Sequence, residues 1–277
     1  MNLNDHRFNK LEKRYYDFYL KNRKQASQQF MDKISINSGL VGHLHLLKAN
    51  GYVQIPPESL NIKDDLGEIR RQVCDYYSEN DTRVLKNPFG INGLYELIKK
   101  ALVPIACCYY KCVPTISYIK VIKSYASNTP KDTQFFHRDP GSYKLLKAAI
   151  YLNDVDAFGG PLVYVRNSNK EDLSGRSGRE RIKDKEVKQK YNKKIKEIIG
   201  PLGQVTFFDA KGIHKGKLPT RRDRIAIIVN FSLHPEYGQK DNYNKITYNI
   251  TDGYSDFDLM LLDSCVPIFG VKDENKS

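Results

Sequence analysis

The sequence predicts a single domain with an all-β core, a sandwich or jelly roll, braced by helices. Three observations predict it. Apolar residues recur every three or four positions through the first third of the chain, the period changes to two after Pro114, and the short strands that follow succeed one another without regularly alternating helices. The expected layout of 1–277 is a mainly helical part at 1–113, a strand core at 114–233 carrying a charged helical insertion at 170–199, and a C-terminal extension at 234–277. No internal repeat, low-complexity tract or flexible linker divides the chain.

Taken in order, residues 5–33 form one long amphipathic helix candidate. GLVGHLHLLKANGYVQIP continues with a helix ending near Gly51 and a short strand, Tyr52 to Ile55, stopped by two prolines. DDLGEIRRQVCDYYSEN repeats the helical spacing. NGLYELIKKALVPIACCYYK reads as a helix broken or kinked at Pro104, which lacks the N–H that the helix ladder needs. TISYIKVIKSYAS, KLLKAAIYLND, PLVYVRN, GQVTFFDA and RDRIAIIVNFSLH then read as strands, rich in β-branched and aromatic residues and mostly bounded by Gly, Pro, Asn or Asp. In the last of them Ile225, Ile227, Val229, Phe231 and Leu233 alternate with Ala226, Ile228, Asn230 and Ser232. That alternation sets a large apolar row on one face and a smaller, more polar row on the other.

Composition narrows the function. A chain that is 40% hydrophobic has enough apolar material for a sizeable core and is not of the disordered class. No run approaches the ~20 apolar residues of a membrane span. The polar, charged N-terminus has no apolar signal region, so the cytoplasm is the expected compartment. The five cysteines include no CxxC, and ACCYYKC has no second half with which to build a zinc finger, so they read as reduced, small hydrophobes. The net charge of +13 comes largely from residues 5–33 and 166–200, where acids interleave with the bases as on a solvated helix face. Nucleic acid is not the expected partner, because the interleaved acids favour a solvated face and a nucleic-acid site would be better supported by a basic face with aromatic residues between the charges. An anionic small molecule fits the charge.

Chemistry gathers in FFHRDPGSYK, residues 135–144. Residues i and i+2 of an extended segment share a side, so His137 and Asp139 can grip one ion, although the pair alone could equally be two polar residues at a strand end. GQVTFFDAKGIHKG supplies the other half by carrying an apolar strand into a glycine-flanked turn and placing His214 just past it. Two imidazoles and one carboxylate from different strands are the ligand set that holds non-haem Fe(II) on one face and leaves the remaining positions open. Ten residues further on, Arg224 opens the best-defined strand on the side of Ala226, Ile228, Asn230 and Ser232, with room in front of its guanidinium for a carboxylate bound bidentately. Arg222 shares that parity but lies one step further into the loop. Phe207 and Phe208 read as core. His43 and His45 face apart on a helix and read as local helix residues, and His234 has no partner that can be named.

QFFHRDPGSYKLLKAAIYLNDVDAFGGPLVYVRNSN followed by GPLGQVTFFDAKGIHKGKLPTRRDRIAIIVNFS resembles the phytanoyl-CoA dioxygenase family of Fe(II)- and 2-oxoglutarate-dependent oxygenases. The likeness covers about residues 114–233, and LKANGYVQIP near residue 48 is similar to the family's N-terminal start. Four elements agree in order: the HxD, the strand ending in NDVDAFGGPL, the GIHKG turn and the arginine ten residues after the distal histidine. The resemblance implies a double-stranded β-helix, Fe(II) held by His137, Asp139 and His214, and the distal carboxylate of 2-oxoglutarate on Arg224. Its inner carboxylate would have Gln134, Tyr118, Lys120 or Lys123 as a contact, unless these are plain strand-surface residues. It further implies that O2 and 2-oxoglutarate are consumed, with release of succinate and CO2, to hydroxylate or otherwise oxidise an unactivated C–H bond of a small or medium-sized molecule such as a sugar, lipid or natural-product intermediate. Two alternatives stand beside it: a non-catalytic β-helix module binding a glycan or anionic ligand, and the same chemistry on a macromolecule. The chain departs from the family at Arg166 to Asn169, RNSN where many relatives read PGSH, so the loop beside the entrance is expected to differ. Asp139 occupies the place that halogenating relatives leave to a small residue, which favours oxygen transfer.

Overall fold

In the computed structural model the described residues are 3–34, 36–140, 143–171, 180–233 and 255–262. Gly141, residues 172–179, His234 and Cys265 lie outside them, as does the C-terminal extension apart from 255–262. Helix α1 (Leu3–Met31) leads to α2 (Ser38–Asn50), which ends where Gly51 turns left-handed at φ 84° and its N–H caps Leu47 O. Strand β1 (Tyr52–Ile55) follows, then α3 (Pro57–Leu60), α4 (Lys63–Glu79), α5 (Leu94–Leu97) and α6 (Val103–Tyr110). The helix at Pro104 is not broken. Between α5 and α6 the backbone widens into one π-helical turn, Ile98–Leu102, in which Val103 N–H reaches back to Ile98 O. That wider turn accommodates a ring that crowds the preceding turn and brings no N–H of its own.

The strands form two antiparallel sheets. The larger runs β1, β6 (Val205–Asp209), β3 (Leu146–Tyr151), β8 (Arg224–Ser232), β2 (Thr115–Ser124); the smaller runs β5 (Ile195–Ile198), β4 (Leu162–Val165), β7 (His214–Gly216). This is the jelly-roll core with bracing helices that the alternating pattern predicts. One face of the larger sheet carries Ile119, Val121, Leu146, Ile150, Val205, Phe207, Ile227, Val229 and Phe231, which join Leu47, Ile69, Leu97, Leu102 and Leu261 of the helices in one core. Each such side chain contributes about 1.5–3 kcal/mol by leaving water, which is why the helices sit on that face. The opposite row, among it Ala149, Phe208 and Ile228, meets Leu162, Tyr164 and Ile198 of the smaller sheet.

One expectation needs correction and another needs an addition. The stretch 170–199 is not wholly helical. It contains α7 (Asp184–Tyr191), packed through Val187 and Tyr191 on the outside of the smaller sheet, but closes with β5, a strand paired residue for residue with β4. Lys196 and Glu197 point to solvent from that sheet edge, so its charge disguised an edge strand as helix surface. His214, expected just past the glycine-flanked turn, opens a strand that the sequence did not show, β7, whose three residues are too few to display a period of two.

Candidate metal centre

A two-residue ladder brings the three candidate ligands, His137, Asp139 and His214, together. His137 N–H donates to His214 O and His214 N–H donates to His137 O, each at 2.9 Å, while Asp139 N–H donates to Ala210 O at 2.9 Å. The HxD segment thereby lies antiparallel to β7, which β4 fixes on its other side by pairing Tyr164 with His214. Each imidazole places Nδ1 2.9 Å from a backbone carbonyl two residues upstream, Phe135 O for His137 and Gly212 O for His214. A carbonyl can only accept, so Nδ1 carries the hydrogen and Nε2 keeps a free lone pair. His137 Nε2 lies 3.5 Å from Asp139 Oδ1, His214 Nε2 lies 3.9 Å from Oδ2, and one ligand atom from each residue falls within 4.8 Å of the other two.

The electrostatics suit a cation. Burial holds His214 in its neutral form and lowers its pKa to about 3, helped by His137 and Lys147 and opposed by Asp139. Burial alone would raise the Asp139 carboxyl, but Lys147, with smaller contributions from the adjacent His137 and His214, holds it well below the usual carboxylate range. Lys147, on the inner face of β3, forms an ion pair with Asp139 Oδ2; burial pulls its pKa down, but Asp139 and Tyr118 drive it up on balance, so it stays charged. Two imidazoles and an ionised carboxylate, each offering an atom within 4.8 Å of the others, are donors that fit a divalent first-row metal.

Arg224 lies further along the same inner face. One of its guanidinium nitrogens donates to Gly160 O and the other to Ser124 Oγ at 3.0 Å. A Cβ on Gly216 would come within 3.1 Å of it, so the group is packed against β7. Its Nε is buried and has no hydrogen-bond partner among the described residues. Arg222 is exposed and bound to Asp156 at 2.8 Å. Across the larger sheet, Tyr118 pairs with Asn230 and Asn230 with Lys147, and Lys120 pairs with Ile228, which places Tyr118 and Lys120 on the inner face. Lys123 is on the other face, 3.7 Å from Asp223 and over the rings of Tyr77 and Tyr125, and is removed from the site. Gln134 spends its side-chain oxygen on Lys131 N–H at 2.7 Å. Phe207 belongs to the helix-side core, whereas the Phe208 ring lies 5.2 Å from that of His214. His43 bonds Gly39 O within α2, as a local helix residue would.

Two features escaped the sequence reading. Lys147 was legible in principle: it is the one charged residue within LKAAIY, on the row shared with Ala149 and Tyr151. The role of the RNSN loop is the other, since the sequence marked the loop as a departure without showing what it holds. Ser168 Oγ donates to Val165 O and accepts Ile213 N–H, both at 2.7 Å, and Asn169 Nδ2 donates to Asp209 Oδ2 at 3.2 Å. The loop thus clamps the segment that delivers His214. Behind it, Gly212 is irreplaceable, because a Cβ there would land on the Tyr164 hydroxyl.

No protein-family model matches the chain, and no curated protein matches it. Solved structures do. The chain is similar to SnoK, a non-heme alpha ketoglutarate dependent carbocyclase from nogalamycin biosynthesis, at 18% identity over 69% of this chain and 82% of that one, with a TM-score of 0.56. It is similar to the epimerase SnoN in complex with Fe3+, alpha ketoglutarate and nogalamycin RO, at 18% identity over 70% and 84%, TM-score 0.53. It is also similar to HygX from Streptomyces hygroscopicus with nickel and 2-oxoglutarate bound, at 12% identity over 69% and 86%, TM-score 0.52. At such identities the shared property is the fold.

Proposed function

We propose that this chain is an Fe(II)- and 2-oxoglutarate-dependent oxygenase that oxidises an unactivated C–H bond of a small molecule. The observation that carries the reading is the buried His137–Asp139–His214 set, with both Nε2 lone pairs free and both Nδ1 atoms tied to backbone carbonyls. Solved structures of the same fold, two of them holding a metal with 2-oxoglutarate, lend it support. His137 and His214 would donate Nε2 to the metal and Asp139 an anionic oxygen. Bound there, iron with 2-oxoglutarate and O2 supplies the oxidising power for the substrate, with succinate and CO2 as coproducts.

The remaining residues orient and neutralise. Lys147 offsets the carboxylate charge beside the metal. Arg224 would hold the distal carboxylate of 2-oxoglutarate, and its buried, unpartnered Nε is a donor in want of an acceptor. Ala226 and Ile228 keep that part of the inner face apolar.

Anaerobic addition of Fe(II) and 2-oxoglutarate to the metal-free protein is expected to produce a visible charge-transfer band, and O2 to yield succinate. His214→Ala and Asp139→Ala should each abolish iron binding. Arg224→Ala should keep iron but bind 2-oxoglutarate about 100-fold more weakly, the loss expected from one desolvated charged pair. A protein with neither band nor succinate is not this enzyme.

A further inference from the structure

A cavity of about 720 Å³ opens where the helices meet the end of the larger sheet, and His137, Asp139 and His214 are not among its lining residues. Helix α1 contributes Lys13, Tyr16, Asp17, Leu20 and Lys24 to its wall, a spacing of three and four that puts them on one face of the helix. The end of α2, the end of α6 and three loops supply the rest. Seven lysines line it, against three carboxylates and no arginine.

Two of those carboxylates are already engaged. Asp209 is raised above its ordinary pKa, chiefly by burial, and accepts from Tyr109 Oη at 3.1 Å, Asn169 Nδ2 at 3.2 Å and Lys211 N–H at 3.1 Å. Glu171 accepts from Tyr191 and faces Arg138 at 3.8 Å and Lys190 at 3.7 Å. Only Asp17 is left to oppose the ammonium groups. Lys13, Lys24, Lys48 and Lys111 have no ion-paired carboxylate among the described residues, and Lys144 lies 5.9 and 6.0 Å from the rings of Tyr16 and Tyr109 and acts through its charge on Asp209. Like charges gathered round one concavity repel each other, and a multiply charged anion between them reverses the sign.

We infer that this cavity docks the phosphoryl group of the primary substrate, which is a phosphorylated small molecule. The inference rests on the oxygenase reading for the word substrate, and on the cavity alone for the word phosphoryl. Several ammonium point charges without a guanidinium fork suit a compact dianion approached from many directions better than a planar carboxylate. The volume is that of a small-ligand pocket and not of a polymer groove. The cavity also shares its wall with the metal site. Asp209 and Lys211 line it, while between and beyond them Ala210 O accepts the Asp139 N–H and Gly212 O holds His214 Nδ1; Arg138 in turn donates to Lys211 O at 2.8 Å. A ligand anchored by its phosphoryl group lies next to the segment that leads into His214 and accepts the Asp139 N–H.

The test is calorimetric titration of the full chain, metal-free and loaded with Ni(II) and 2-oxoglutarate, with pyrophosphate as the probe and sulfate as the reference. Wild type is expected to bind pyrophosphate at least 10-fold more tightly than sulfate. Lys24→Glu with Lys48→Glu should weaken pyrophosphate at least 10-fold, and Lys24→Met with Lys48→Met by an intermediate factor. Lys193→Glu with Lys194→Glu, an equal change of net charge on exposed positions beside α7, should leave it within two-fold. Equal losses in the two reversals, or no preference over sulfate, overturn the inference. A normal Fe(II)–2-oxoglutarate band without pyrophosphate binding removes only the docking site. Pyrophosphate binding without that band removes the oxygenase reading and leaves an anion site.

Discussion

Lys147 occupies the interior of a strand whose other residues are apolar or aromatic, and its ammonium faces the carboxylate of Asp139. A buried charge that loses its only close counter-charge is costly, about 3–5 kcal/mol. A metal ion at the same carboxylate can take over that role. Lys147→Met should therefore destabilise the metal-free protein by about 3 kcal/mol and the metal-loaded protein by much less. Urea unfolding in EDTA and in saturating Ni(II), each compared with wild type, reads the difference directly. Equal losses in the two conditions would mean that Lys147 acts through packing alone. Ser168 matters by a different route: its hydroxyl both accepts the Ile213 N–H and donates to Val165 O, so it positions His214 through the backbone and not by contact with the ion.

Among the elements, α8 (Asp256–Leu262) shows how a peripheral helix is pinned to the core. Asp258 closes a reciprocal cap with Ser255, accepting its N–H at 3.1 Å while Ser255 Oγ accepts the Asp258 N–H at 3.3 Å, and also accepts from Tyr95 Oη at 2.8 Å and pairs with Lys99 at 3.1 Å. Burial would raise this carboxyl, but Ser255, Tyr95 and Lys99 lower it below its ordinary 3.8. A depressed carboxyl stabilises the fold above the unfolded-state value and loses that contribution as pH falls through the folded-state value. Amide exchange in 255–262 should accelerate below about pH 4 relative to the β8 amides, and Asp258→Ala should show the fast exchange already at neutral pH, at a cost of about 2 kcal/mol. Length alone did not decide legibility: β1 and β4, of four residues each, were readable from apolar runs bounded by Gly or Pro, whereas α8, of seven, was not. β5 was hidden because its two middle positions are charged, and β7 because it has only three residues. The π turn before Pro104 was half legible: the proline announced a disturbance, but only the packing on both sides decided that the helix would widen and continue.

Over the whole molecule, legibility depended on how far apart in sequence the parts of a site lie. His137 and Asp139 could be paired because extended backbone sets i and i+2 on one side, a local rule. Linking them to His214 rested on its residue type and its place past a strand end, to which the resemblance added, and the structure brings the three together through a ladder spanning the two segments. The lysine-lined cavity could not be read at all, since its lysines come from separate segments in each of which a lysine is an ordinary surface residue. The same long-range assembly makes a thermodynamic prediction. Residues 137, 139 and 214 meet only when the HxD segment, β7 and β4 are all in place, so a metal held by them would bind the folded chain and not the unfolded one. At a free metal concentration 100 times the dissociation constant this linkage adds about 2.7 kcal/mol of stability. For a chain of this size that is a rise in Tm of roughly 5–10 °C. Differential scanning calorimetry with Ni(II), Co(II) or Zn(II) should register the rise, EDTA should reverse it, and His214→Ala should unfold at one temperature with or without metal. A rise that survives in His214→Ala would place the metal elsewhere on the chain, at surface carboxylates or cysteines, and would remove the thermodynamic support for the His137–Asp139–His214 centre.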